Sequence, residues 1–525
     1  MKVLTTILRG LVSACTLAVL LAVQVPHSAQ ALSATWNGTS DTLWATTGNW
    51  STSPVPGSGN TATFNNAGGA VDTISLAGVT IGTILFDANA AAYTLGSGAI
   101  NSETLTLNNG GAITLNPSVT NNQLLNAAVV LGTDGSAQTF TLTNSTSAKT
   151  LTCAGNLTGS TGVGAKTLSV TGSGPITLSG AIANGASGTV KLTKSGTGSL
   201  ILSNTANTYT GGIVISGTSG TVTATTTNGT NVTGMGTGAV SIGSGSILNL
   251  LSANVVNAAT TINNTFTGTG TLKLTFTDTA SAATYTVLGG VSGFTGTIQL
   301  ANTTTSHKDK WYANNIGTIN AALIIDNASQ IFVANGPATF NSVSVIGTGN
   351  AEGYGAIRLG NTLNGIITLA GNTTIGLGGG TITGSIRSGT TGIQTLTLGT
   401  TAAGTTGTFS GSVGGGAGII AVTSAAGTST LSGSNTYTGN TLISGGILKL
   451  GNNLALQNSV LDTSGAGTLA FASGINTPTI GGLTGNAGLT LAANVAALTL
   501  NTASGVVKRV GPRGFTVSEH RCSDA

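Results

Sequence analysis

Apolar and polar residues alternate along most of this chain in short runs. Leu105 and Leu107, then Ile113 and Leu115, take every second position. Phe140 and Leu142, Leu168 and Val170, Ile176 and Leu178, and Val190 and Leu192 repeat the pattern. A period of two is that of a strand with one face buried. Gly, Asn and Ser clusters punctuate the runs about every eight to ten residues, as turns do. After residue 31 no segment carries a 3.6-residue apolar stripe, and the nearest approach, residues 124–131, is short. The pattern predicts an all-β protein built from many short strands.

Composition sharpens that reading. Only 5% of the 525 residues are charged, 4% are aromatic, and 82 are Gly. Disorder calls for low hydrophobicity and high net charge, whereas 39% of this chain is apolar and its net charge is +4. Eight prolines are too few for collagen, and three glutamates too few for a coiled coil. The charge sits at the ends: residues 32–505 hold ten basic and ten acidic side chains. No basic stripe exists to displace counterions from phosphate, so nucleic acid is excluded as a partner. Cys15, Cys153 and Cys522 lie far apart with no CxxC pair, which excludes a zinc site of ordinary spacing and a disulfide framework. Cys153 follows Leu151 in period two and is expected to pack as a small apolar residue.

Self-similarity comes next, because repeats decide the architecture. An aromatic residue, Thr and Gly, followed after three residues by Ile or Leu, recurs at Tyr209-Thr210-Gly211, Phe266-Thr267-Gly268, Phe294-Thr295-Gly296 and Tyr437-Thr438-Gly439. Phe409-Ser410-Gly411 is a looser copy. A tight turn at Gly followed by a strand returning to the core accounts for the spacing. Two copies are longer: Asn207-Thr208-Tyr209-Thr210-Gly211 and Asn435-Thr436-Tyr437-Thr438-Gly439, the second continuing to Ile443-Ser444-Gly445-Gly446-Ile447-Leu448-Lys449-Leu450.

These residues resemble the autotransporter-associated beta-strand repeat. Lys194-Ser195-Gly196-Thr197-Gly198 resembles its lead-in, and the first copy departs from the pattern at Gly217-Thr218-Ser219. Trp36-Asn37-Gly38, Trp44, Gly48-Asn49-Trp50-Ser51 and Phe64 resemble the N-terminal segment of such proteins, and Gly355-Ala356-Ile357-Arg358-Leu359 another recurring piece. The resemblance implies a right-handed parallel β-helix, exported to the extracellular side or cell surface of a Gram-negative bacterium. At about 25 residues per coil the body would make about 18 rungs, or about 85 Å. Trp36, Trp44 and Trp50 are expected to cap its first rung.

The chain ends read differently from its body. Residues 1–9 carry Lys2 and Arg9, residues 11–25 are mostly apolar, and Ala29-Gln30-Ala31 supplies the small-residue pattern. A secretory signal cleaved after Ala31 is expected, with no membrane segment in the mature chain. The expected division is a signal peptide over 1–31, a Trp-containing cap over 32–70, and a β-helix over 71–505 with repeat units near 195–218 and 427–450. Residues 506–525 form a tail holding six of the chain's 28 charged residues. That tail lacks the texture of the repeats and suggests a truncated or frame-shifted gene product.

Chemistry is sparse. The ten acidic residues of the body, from Asp41 to Asp462, are scattered with no two within ten positions of each other. No phosphate loop or nucleophile elbow occurs. The body keeps one histidine, His307, in Ser306-His307-Lys308-Asp309-Lys310-Trp311-Tyr312, its densest polar and aromatic run. His307, Trp311 and Tyr312 are the candidate ligand loop, with Trp311 or Tyr312 stacking on a sugar; the competing reading is a solvated loop with an aromatic tucked back. No cofactor is expected. The expected function is a non-enzymatic, structural or adhesive surface solenoid whose partners are surface carbohydrate or other cell-surface components. The alternatives are a carbohydrate-active β-helix enzyme of lyase or glycosidase type, or a gene fragment lacking its functional C-terminal part.

Overall fold

The computed structural model describes residues 32–501, apart from residues 71, 218–219, 228, 231, 253–258, 278–284, 303–305, 307 and 402–404. Ala29 and Ala31 of the expected signal, and the tail from residue 506, lie outside the described residues.

Each short strand hydrogen-bonds to the strand one coil earlier and one coil later, and all pairings between the described strands are parallel. Phe140, Leu168 and Leu192 stack in consecutive rungs, 28 and 24 residues apart. The result is a parallel β-solenoid of about 18 turns, with a single 3-10 turn, Thr47–Asn49, as the helical element among the described residues. Residues 124–131, the nearest thing to a helical pattern, form parts of two strands, Gln123–Leu125 and Ala128–Leu131.

The alternation becomes columns. Residues of like phase stack through the rungs, one side facing the interior and the other solvent. One interior column runs Ile74, Leu95, Leu125, Cys153, Leu178, Leu202, Ala224. Cys153 occupies an aliphatic place in it, free and fully buried, and burial pushes its thiol up to about 12. A second column runs Ile84, Ile113, Leu142, Val170, Lys194, Ile215, Ile242. Lys194 is buried among these aliphatic side chains. Its Nζ donates to the Ser195 and Gly196 carbonyls at 2.7 and 2.8 Å, and desolvation pushes its pKa down to about 8.

The first rung is closed by aromatic packing. Trp36, Trp44 and Trp50 are all buried, with Trp36 and Trp44 edge-on to Trp50 at 5.1 and 4.7 Å and Phe64 beneath all three. Trp44 Nε1 donates to the Pro56 carbonyl and Trp50 Nε1 to that of Trp44, so neither indole is left unsatisfied. The Asp41 carboxylate accepts from the Leu43 N–H, Thr46 Oγ1 and Asn49 Nδ2, which hold it below the usual carboxylate range.

The two long repeat copies have the same construction. Asn207 Oδ1 accepts the Ile182 N–H of the preceding rung at 2.7 Å, and its Nδ2 donates to the Gly234 carbonyl of the following rung at 2.8 Å. Asn435 does the same with the Val413 N–H at 2.8 Å and the Ala455 carbonyl at 2.9 Å. Each Asn ties three rungs together from a buried position. The glycines are also equivalent. A Cβ on Gly211 would fall 2.4 Å from the Val190 carbonyl oxygen, and one on Gly439 2.3 Å from that of Ile420. The backbone N–H of each donates to that same carbonyl. Thr210 and Thr438 face outward and are exposed, beside the buried Tyr209 and Tyr437.

The copies differ at the tyrosine hydroxyl. Tyr437 Oη lies 2.7 Å from Thr441 Oγ1, which lies 2.8 Å from Ser459 Oγ, which donates to the Gly439 carbonyl. In the first copy the residue four places after the tyrosine is Ile213, and Tyr209 Oη has no hydrogen-bond partner among the described residues. An unpaired buried hydroxyl is costly, whereas a paired one contributes about 1 kcal/mol. Tyr437→Phe is therefore expected to destabilise the protein by about 1–2 kcal/mol, and Tyr209→Phe to be neutral or stabilising, as read by chemical denaturation. Lys194 gives a second expectation. Its folded pKa lies below its unfolded one, so the folded state carries the cost of the charge at neutral pH. Stability should rise with pH from about 8 towards 10.5, a rise that Lys194→Met abolishes in denaturation midpoints measured across that range.

Candidate functional site

The charged and aromatic run singled out from the sequence is split by the strand that contains it. In Lys310–Asn314, alternate residues face opposite ways. Trp311 stacks in register with Ile331 and then Ile357 on the interior side. It is 0% exposed and meets Phe340 edge-on at 5.8 Å. Trp311 is thus a core residue and cannot offer a face to a sugar, which corrects that part of the expected loop. His307 lies outside the described residues. Tyr312 is on the outer side, half-buried, and begins a column of planar groups: Tyr312, Phe332, Arg358. Its ring meets Phe332 edge-on at 5.3 Å.

A strap completes the site. After Ala338–Gly347 the chain leaves the ladder and folds back over the outer face before re-entering at Ile357–Leu359. Gly355 makes an antiparallel bridge to Ile375, and the Ala356 N–H donates to the Thr374 carbonyl at 2.9 Å. The strap runs so close to the sheet that a Cβ on Gly376 would lie 1.9 Å from the Tyr354 carbonyl oxygen. Only a residue without a side chain permits this approach. Asn350 Nδ2 donates to the Asp309 carbonyl at 2.8 Å, and Asn350 Oδ1 accepts the Glu352 N–H at 3.2 Å. Gln330 Nε2 donates to the Gly355 carbonyl at 2.8 Å.

Charge is concentrated under the strap. Lys310 Nζ contacts Glu352 Oε1, and Arg358 Nη1 lies 3.7 Å from Glu352 Oε2. The side chains of Lys310, Glu352 and Arg358 are 0%, 9% and 27% exposed. Burial pushes the Lys310 amine down from its ordinary pKa, and the Glu352 carboxylate opposes that shift. The Arg358 guanidinium is held between two rings, 4.1 Å from the Phe332 centroid and 4.0 Å from that of Tyr354. Tyr312, Phe332, Tyr354 and Arg358 together form a half-buried outer patch. Its chemistry suits a partner with apolar faces and hydroxyl or carboxylate edges. The sequence run pointed to Lys310 and Tyr312, but Glu352, Tyr354 and Arg358 arrive from more than 40 residues downstream.

Of the other described carboxylates of the body, Asp309 is fully buried and acts on the Lys310 amine, and seven accept hydrogen bonds elsewhere. Asp41, Asp72, Asp87, Glu103, Asp134, Asp326 and Asp462 each accept hydrogen bonds from nearby side chains or turn N–H groups. Asp278 lies outside the described residues. Among the described residues no three His, Cys, Asp or Glu side chains gather as metal ligands would.

Comparison with known proteins agrees with the repeat geometry. Residues 192–224 and 426–450 match the family described as passenger-associated-transport-repeat. Those spans contain both buried Asn staples, Asn207 and Asn435, and both close glycines, Gly211 and Gly439. No curated protein and no solved structure matches the chain. The protein thus carries the autotransporter-associated repeat in two copies, each built into the wall of one continuous parallel β-solenoid.

Proposed function

We propose that this chain is a passenger-type β-solenoid, exported to the surface of a Gram-negative bacterium, with a structural or adhesive role and no catalytic one. The observation that carries the reading is the use made of its polar residues. The repeat Asn side chains staple rungs, and seven of the described carboxylates accept hydrogen bonds within turns or from a neighbouring rung. A glycosidase would need two acidic groups flanking a substrate. The two acidic groups near one another here, Glu352 held by Lys310 and Arg358 and the fully buried Asp309, lie beneath the strap, closed off from a substrate. The repeat match supports export, since the family is defined by its association with passenger transport.

The adhesive part of the reading rests on the outer patch, with surface carbohydrate as its partner. Rings stack on the apolar faces of sugars, and Arg358 can hydrogen-bond their oxygen edges. Tyr312→Ala combined with Tyr354→Ala is expected to reduce binding to a surface glycan array by at least about tenfold, the loss of roughly 1.4 kcal/mol. Glycan binding that survives the double substitution would remove the patch from the account. No binding by the unaltered protein would leave a purely structural role. For export, N-terminal sequencing of protein recovered from the outside of the cell is expected to begin at Leu32. An uncleaved chain confined to the cytoplasm would defeat this proposal.

A further inference from the structure

Lys310 and Glu352 meet in a setting with little water. The lysine side chain is 0% exposed and the glutamate 9%, and Nζ rests directly on Oε1. The two residues lie 42 positions apart and join the strand Lys310–Asn314 to the strap above it. An ion pair in such a place must offset the desolvation of two charges, and its attraction often only matches that cost. A neutral amide in the same position carries no charge to desolvate. Burial also favours the free amine of Lys310, which is the nucleophilic form of lysine. The other carboxylate oxygen, Oε2, faces the Arg358 guanidinium at 3.7 Å, and Arg358 is itself fixed between two rings.

We propose that Lys310 and Glu352 are joined by an intramolecular isopeptide bond between Nζ and Cδ. A proton first passes within the pair, from ammonium to carboxylate, giving an amine and a carboxylic acid. The Nζ lone pair then attacks Cδ. One C–N bond forms, the C–Oε1 bond breaks, and Oε1 leaves as water with one of the amine protons. Oε2 remains as the amide oxygen, and the second amine proton stays on the amide nitrogen. The positive and negative charges disappear together, and no oxidant, reductant or further reactant takes part.

The surroundings supply what the step needs. Direct contact gives the two groups the high effective concentration of an intramolecular reaction. Arg358 is placed to stabilise negative charge on Oε2 as the carbon becomes tetrahedral. The product closes a covalent loop between residues 310 and 352 and pins the strap to the sheet. This inference does not depend on carbohydrate binding or on export, and its test leaves both readings untouched.

The experiment is the intact mass of the purified, denatured full chain, followed by fragmentation of its proteolytic peptides. The unaltered protein is expected to weigh one water less than its sequence, corrected for any N-terminal processing. Its trypsin digest is expected to contain residues 309–358 as one peptide, uncut at Lys310, one water light and closed into a loop between residues 310 and 352. Lys310→Arg keeps the cation but lacks the amine and should show the full mass. Glu352→Gln is the discriminating variant: its carboxamide can accept the same attack, so that protein should lose one ammonia in place of one water. A full mass in the unaltered protein, with linear peptides carrying free Lys310 and Glu352, overturns the proposal. So does a loss of ammonia in the unaltered protein, with Lys310 linked to Asn350.

Discussion

Everything in this fold depends on the parallel ladder between coils. Each strand finds its backbone partners one coil earlier and one coil later, so each side chain has a neighbour of the same phase about 4.8 Å above and below it. An interior position is therefore judged by its column as well as by its own burial. The column from Ile74 to Ala224 meets the condition with aliphatic groups and the thiol of Cys153, which loses its acidity there and packs as a methyl-sized group. The column through Lys194 meets it less well. The ammonium bends to the Ser195 and Gly196 carbonyls, and the desolvation cost appears as a lowered pKa.

The same constraint explains the scarcity of charge. A stacked column sets like residues over like, and a row of identical charges at that spacing would repel. Neutral Thr, Asn and Ser can stack without that penalty. Several of the carboxylates that do occur are found at turns and in the strap, whereas Lys166, Lys191, Lys194, Lys273 and Lys449 lie within strands. Asp41 organises the turn that closes the first rung, Glu103 gathers the N–H groups of Leu76 and Ser97, and Glu352 sits in the strap. The strap over Arg358 and Lys310 holds the described cluster of ion pairs.

Much of the architecture was legible in the sequence because it is written at short range. Alternation such as Phe140-Thr141-Leu142 reports which face is buried without reference to any partner. The aromatic-Thr-Gly unit reported a turn, and Gly211 and Gly439 lie where a Cβ would strike the preceding rung. What could not be read depends on residues a coil or more away. The role of Asn207 requires Ile182 before it and Gly234 after it, and nothing local announces either. Trp311 looked like part of an exposed loop because its neighbours are charged. Lys310 is buried only because the strap arrives some 40 residues later, and Trp311 faces inward because the strand phase places it opposite Tyr312.

The strap also changes how stability is distributed. In a solenoid each coil contacts its neighbours alone, so stability is close to a sum of nearest-neighbour terms, and local opening need not spread. The Asn staples lengthen that range slightly, since each spans three coils. The strap lengthens it further. It binds Asp309 through Asn350, Lys310 through Glu352, Arg358 through Tyr354, and Ile375 through Gly355. Consecutive rungs from residue 309 to residue 376 thereby share one set of contacts that none can lose separately. A cation held between Phe332 and Tyr354, over a carboxylate held by a buried lysine, is expensive to assemble and equally expensive to disturb. Such a segment opens as a unit or not at all, whereas coils elsewhere can fray one at a time. The outer patch is thus displayed on a part of the wall whose rungs are tied together by the strap.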